Sequence, residues 1–202
     1  MVRFTGDTVF THAIHDRTSS FYIDLLVDYH SESPMPHDVR TAAESFMSRC
    51  MAFRNEFPEA ASGMWTMIGK DTVLRWDSIV CLLQHAYMFT GGAHGSTTIH
   101  FLIARSADGA SLQWKDLVAD TVAFSTVAEH AFRAQQGMRP SETYDSKGFW
   151  FKDEKFVLPK EIGVDSSGFV LLYNQYEIAP YSMGQIKVTI PYSEVITTAP
   201  KP

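Results

Sequence analysis

Apolar and polar residues alternate with a period of two through most of this chain and shift to a period near 3.6 in two stretches. Thr8 to Ile14 reads as a first strand. Ser19 to Tyr29 reads as a second, with Phe21, Ile23, Leu25, Val27 and Tyr29 on one face and Tyr22, Asp24 and Asp28 on the other. A proline-containing loop from Ser31 to Pro36 leads into a helix, with Asp38 in its first turn, where an acid suits the helix dipole. Val39, Ala43, Phe46, Cys50, Phe53 and Phe57 recur at helical spacing, Met47 and Met51 widen the stripe, and Pro58 closes it. Thr72 to Phe89 reads as one long strand or as two joined by a bend near Asp77. Within it Ile79, Cys81, Leu83, His85, Tyr87 and Phe89 share a face, as do Thr97, Ile99, Phe101 and Ile103 in the next strand.

Beyond Arg105, Ser106 to Gly109 is a turn signal, followed by a short strand from Leu112 to Trp114. Asp120 or Thr121 caps a second helix, which buries Phe124, Val127, Ala128, Ala131 and Phe132 and stops at Gly137. A polar loop from Met138 to Gly148 comes next. Phe149 to Phe151, Lys155 to Leu158, Phe169 to Gln175 and Ile186 to Ile190 read as strands, with Ser166-Ser167-Gly168 as a tight turn. Strands, helix, strands, helix, strands predict an α+β fold, an antiparallel sheet with two main helices packed on it. One domain over residues 1–202 is expected, with its core in 8–195 and a subdivision point near 58–72.

Composition narrows the function classes. An apolar share of 45% with 14 Phe, 8 Tyr and 4 Trp supplies a sizeable core. The net charge of -6, with 17 basic residues scattered among 23 acidic ones, argues against nucleic acid as a partner. No apolar run reaches membrane-span length. Met1 to Asp16 lacks the basic and apolar regions of a signal peptide, which taken literally places the chain in the cytoplasm, unless an export signal has been removed. Cys50 and Cys81 fall on inward-facing positions and read as buried free thiols, with a disulfide as the alternative in an oxidising compartment.

Candidate chemistry gathers at two places. Thr90-Gly91-Gly92-Ala93-His94-Gly95-Ser96 is a turn between two strands that carries three glycines and one imidazole. It lacks the Lys-Ser/Thr of a phosphate loop, and no nucleophile elbow accompanies it. His12 and His15 point to opposite faces of a strand, and His94 and His100 lack a third ligand. No metal or cofactor is therefore expected. Asp24, Asp28 and Glu177 are not at a spacing that argues for paired-carboxylate catalysis. The second place runs from Phe169 through Tyr176, Pro180 and Tyr181 to Gly184. There Tyr173, Tyr176, Tyr181 and Tyr192 surround a bend and read either as half-buried packing or as a surface that grips a partner.

These two segments carry a family resemblance. Tyr87-Met88-Phe89-Thr90-Gly91-Gly92-Ala93-His94-Gly95 resembles the Tyr-x-x-TGGAHG signature of RsiV-like extracytoplasmic domains. Tyr176-Glu177-Ile178-Ala179-Pro180-Tyr181-Ser182-Met183-Gly184, followed by Val188-Thr189-Ile190-Pro191-Tyr192, resembles their YEIAPYAxG ending. The resemblance implies an α+β domain outside the bacterial cytoplasm, of the kind that senses lysozyme in an anti-sigma factor. A related region precedes, without being, the catalytic part of a peptidoglycan deacetylase.

The expectation that follows is a non-enzymatic binding or sensing domain of the cell envelope, periplasmic or extracellular. Its partner would be a lysozyme-like protein or a cell-wall glycan, and Gly91, Gly92, His94, Gly95, Tyr176, Pro180 and Tyr181 are its candidate binding residues. Two alternatives stand beside it. One is a hydrolase of wall or other polysaccharide with His94 as acid or base. The other is a scaffold whose motifs only hold the fold.

Overall fold

The computed structural model describes residues 2–5, 8–11, 39–60 and 66–196. The strand expected over Ser19 to Tyr29, the loop before the first helix, Asp38, His12 and His15 lie outside the described residues, as does the end of the strand expected from Thr8. The described elements are β1 (Val2–Thr5), β2 (Thr8–Thr11), α1 (Val39–Glu56), β3 (Thr66–Trp76), β4 (Ile79–Phe89), β5 (Ser96–Arg105), β6 (Ser111–Leu112), α2 (Thr121–Gln135), β7 (Glu161–Val164), β8 (Gly168–Tyr173) and β9 (Ile186–Pro191). The fold is α+β, and its strands divide into two sheets of order β2-β1-β3-β4-β5-β6 and β7-β8-β9. The chain forms two compact units, Met1–Thr72 with Gln84–Thr98, and Val73–Leu83 with Ile99–Pro202.

In the first unit β1 pairs antiparallel with β2 (Val2 opposite Thr11) and with β3 (Val2 opposite Gly69). α1 buries Cys50, while the Phe53 and Phe57 rings sit 5.3 Å apart. The Met stripe is corrected at Met51, which is 59% exposed and therefore not core packing. The expected bend at Asp77 is a true reversal. Asp77 adopts φ 49°, a left-handed value that an Asp tolerates, so two strands meet there rather than one continuing.

The second unit holds an aromatic core. α2 starts where Asp120 Oδ1 accepts the N–H groups of Val122 (2.8 Å) and Ala123 (3.0 Å), and it is followed by Gly137 at φ 61°. Its buried side carries Phe124, Ala128 and Phe132. Phe124 meets Phe169 at 5.0 Å and Phe132 meets Tyr173 at 5.8 Å, both edge-on, so the helix covers the face of β8 on which these two residues lie. All six residues of β8 are buried. β8 pairs antiparallel with β7 (Ile162 opposite Leu171) and with β9 (Leu171 opposite Val188).

Two expected strands are corrected, because Phe149 to Phe151 and Lys155 to Leu158 are not strands. Asp153 and Glu154, both at positive φ, turn the chain there, and Phe149, Phe151 and Phe156 reach back to ring contacts within 5.6 Å of Phe132. Alternation in this stretch reflects rings converging on one phenylalanine rather than a pleat. The short strand expected over Leu112 to Trp114 is also shifted, since β6 is Ser111–Leu112 and Trp114 opens a 3-10 turn. Both cysteines are free and buried, and burial pushes the Cys81 thiol up to about 12.

Phe132 is fully buried against five aromatic rings. Phe132→Ala is expected to cost about 3–5 kcal/mol in a denaturant titration.

The buried phenols set a second expectation. Burial pushes the Tyr144 hydroxyl from 10 up to about 12, aided by its hydrogen bond to Glu129, and burial also lifts Tyr173 and Tyr192 above the ordinary tyrosine range. The folded chain then keeps protons that the unfolded chain has released. The contribution of the phenols to stability is complete below pH 10 and falls as pH rises through about 12. Circular dichroism and tyrosinate absorbance followed together should show unfolding and ionisation arriving in one step.

Candidate binding surfaces

The glycine-rich turn lies between β4 and β5 in the first unit. Gly91 and Gly92 adopt φ 98° and 92°, left-handed values that cost an L-residue about 1–3 kcal/mol. Gly95 answers a different need. A Cβ placed there would overlap the Tyr87 ring at Cζ, so the tyrosine of the same motif packs on the bare backbone of this glycine. The His94 side chain is exposed, and its Nδ1–H donates to the Gly95 carbonyl at 3.1 Å. A carbonyl only accepts, so this contact fixes the proton on Nδ1. It is a turn-tying contact within the hairpin.

The second candidate segment lies in the second unit. Asn174 leaves β8 and is held by five hydrogen bonds, one of them from the Glu177 N–H to its carbonyl at 3.1 Å. Its Oδ1 accepts the Ile99 N–H (2.8 Å) and the Gln185 amide (2.9 Å). Its Nδ2 donates to the Ile99 carbonyl (3.0 Å), and its own N–H donates to Glu177 Oε2 (2.9 Å). Glu177 Oε1 accepts the Lys160 N–H at 3.1 Å, so both carboxylate oxygens are spent on backbone. Ile178 and Ala179 are buried, and the Ile178 carbonyl accepts the Trp150 N–H at 2.7 Å. Pro180 at φ -63° and Gly184 at φ 68° bracket a 3-10 turn over Tyr181–Met183.

The four expected tyrosines separate into two kinds, two on this anchored loop and two outside it. Tyr173 and Tyr192 are packing residues whose hydroxyls donate to the carbonyls of Val157 and Asp165, each at 2.6 Å, and Tyr192 stacks on Trp76 at 3.9 Å. Tyr176 is 55% exposed at φ 66°, and its ring stands 5.7 Å from that of the half-buried Tyr181. Trp150 and Met183 are also exposed, and Met183 Sδ lies 3.7 Å from where a Cβ on Gly148 would be. Tyr176, Pro180 and Tyr181 thus share one loop, while Gly91, Gly92, His94 and Gly95 share one turn of the other unit.

Sequence reasoning missed a buried polar pair. Glu161 is 5% exposed, and its Oε1 meets His100 Nδ1 at 2.8 Å while its Oε2 accepts the Phe101 N–H at 3.0 Å. The available signal was a charged residue opening the otherwise apolar run Glu161-Ile162-Gly163-Val164. Among the described residues no group of three His, Cys, Asp or Glu is placed to hold a metal ion, and no helix is long and apolar enough to cross a membrane.

These two units and two sheets define the class, an α+β protein with an aromatic loop carried on its smaller sheet. Residues 115–193 match a family model described as a protein of unknown function, DUF3298, and that span includes the loop but not the glycine turn. Two solved structures share the fold. A DUF3298 family protein from Pseudomonas aeruginosa PAO1 is 24% identical, with a TM-score of 0.55 over 73% of this chain and 69% of that one. A member of the same family from Bacteroides fragilis NCTC 9343 is 19% identical, with a TM-score of 0.59 over 89% of this chain and 76% of that one. No curated protein matches the chain.

The Tyr87–Gly95 contact predicts coupled substitutions. Gly95→Ala should cost about 1–3 kcal/mol in chemical denaturation by displacing the ring. In a Tyr87→Ala background the same change should cost far less, a coupling that a double-mutant cycle reads directly.

Proposed function

We infer that this chain is a non-enzymatic binding or sensing domain, working outside the bacterial cytoplasm on a partner at the cell envelope. The observation that carries this reading is the Tyr176–Gly184 loop. Its backbone is held by Glu177, Ile178 and Asn174, yet it leaves the Tyr176 ring more than half exposed in a left-handed conformation. Large rings on a pre-ordered backbone lose little entropy on binding, which is the usual make-up of an interaction hot spot. The resemblance of two motifs to those of RsiV-like domains supports the extracytoplasmic setting and the two candidate partners, a lysozyme-like protein and a cell-wall glycan. His94 is tied to the carbonyl of its own turn, as a residue that maintains the hairpin would be.

The test is direct. Purified chain titrated with a lysozyme and with soluble peptidoglycan fragments should bind one of them. A chain that binds neither overturns the reading.

A further inference from the structure

We propose that the Asn174–Gln185 loop is a saccharide-binding surface, with the Tyr176 and Tyr181 rings as the platform on which uncharged sugar residues stack. The proposal rests on the reading of the chain as a binding domain and goes further by naming the loop and the chemistry of its partner.

Charge selects the partner class. Between Asn174 and Gln185 the sequence Asn-Gln-Tyr-Glu-Ile-Ala-Pro-Tyr-Ser-Met-Gly-Gln contains one ionisable carboxylate and no base. That carboxylate, Glu177, is committed at both oxygens to the N–H groups of Lys160 and Asn174. What the loop turns outward is the Tyr176 ring, the side chains of Ser182 and Met183, and part of Tyr181. A cationic protein would be drawn by an acidic rim and an anionic ligand by a basic one. The loop's own residues supply neither. Neutral pyranose rings suit it, because their C–H faces pack on aromatic rings while their hydroxyls meet nearby hydroxyl and amide groups.

Geometry gives the second argument. The two rings lie 5.7 Å apart with a 36° tilt, close enough to act together on one bound segment. Tyr176 holds φ 66°, a region where bulky residues are rare and glycine or asparagine is at ease. A tyrosine kept there at a cost to stability is what a ring retained for contact looks like.

The experiment uses the whole chain and a neutral probe, an N-acetylglucosamine oligosaccharide, titrated by calorimetry at low and high salt. Binding is expected, with affinity changed less than about twofold by salt, since no charge pair is involved. Tyr176→Gly removes the ring while relieving the backbone, so it should lose at least about tenfold in affinity with its melting temperature unchanged or raised. Failure of the parent to bind the oligosaccharide, or full binding by Tyr176→Gly, overturns the proposal. If lysozyme binds and the saccharide does not, the binding-domain reading stands and the saccharide assignment falls. If neither binds, both fall.

Discussion

The outer edge of β5 is the constraint around which the second unit is organised. Among the described residues β6 covers only Ile103 and Ala104 of this edge, and no strand pairs there with the backbone of Ile99 and Phe101. An open edge costs unpaired hydrogen-bonding groups and invites association with other chains. Here it is closed by side chains. The Asn174 amide takes both the N–H and the carbonyl of Ile99, and the buried Glu161 carboxylate takes the N–H of Phe101. Both closing residues belong to the β7–β8 region, so sealing one sheet docks the other. The same operation fixes the start of the aromatic loop, because it begins at Asn174.

The opposite side of the small sheet repeats the device. Gln135, the last residue of α2, donates to the Thr189 carbonyl (2.8 Å) and accepts the Thr189 N–H (3.1 Å) on β9. By antiparallel alternation the backbones of Lys187 and Pro191 face the same way, and Pro191 offers no N–H at all. A side-chain amide, a lysine and a proline together close an edge that no strand covers among the described residues. The aromatic core then fills the space between α2 and β8, with Phe132 at its centre.

Much of this was legible in the residues, and the failures have physical causes. Helix α2 could be read from its Asp120 cap to its Gly137 stop because capping and periodicity agree there. The β4–β5 hairpin was readable because three glycines interrupt two alternating runs. Phe149, Phe151 and Phe156 misled because alternation records which residues point inward, not whether the backbone is extended. Met51 misled because an apolar residue at helical spacing need not be covered. The edge closures could not be read at all. Asn174 and Gln135 look like ordinary polar residues, and their partners lie 75 and 54 positions away. For the candidate surface, the sequence identified the motif tyrosines but could not say which rings face out. That depends on whether each phenol finds a carbonyl to bind, as Tyr173 and Tyr192 do.

The order in which the edges are sealed has a consequence during synthesis. β9 emerges from the ribosome after Gln135, so its closing amide is already waiting. β5 has no such help, since Glu161 comes 60 residues after Phe101 and Asn174 comes 75 after Ile99. At ordinary translation rates that interval lasts about 4–15 s, during which the nascent hairpin carries an open, largely apolar rim. The newborn chain is therefore most prone to aggregation while β5 is out and β7–β8 is not, an interval in which a holding chaperone would have its greatest effect.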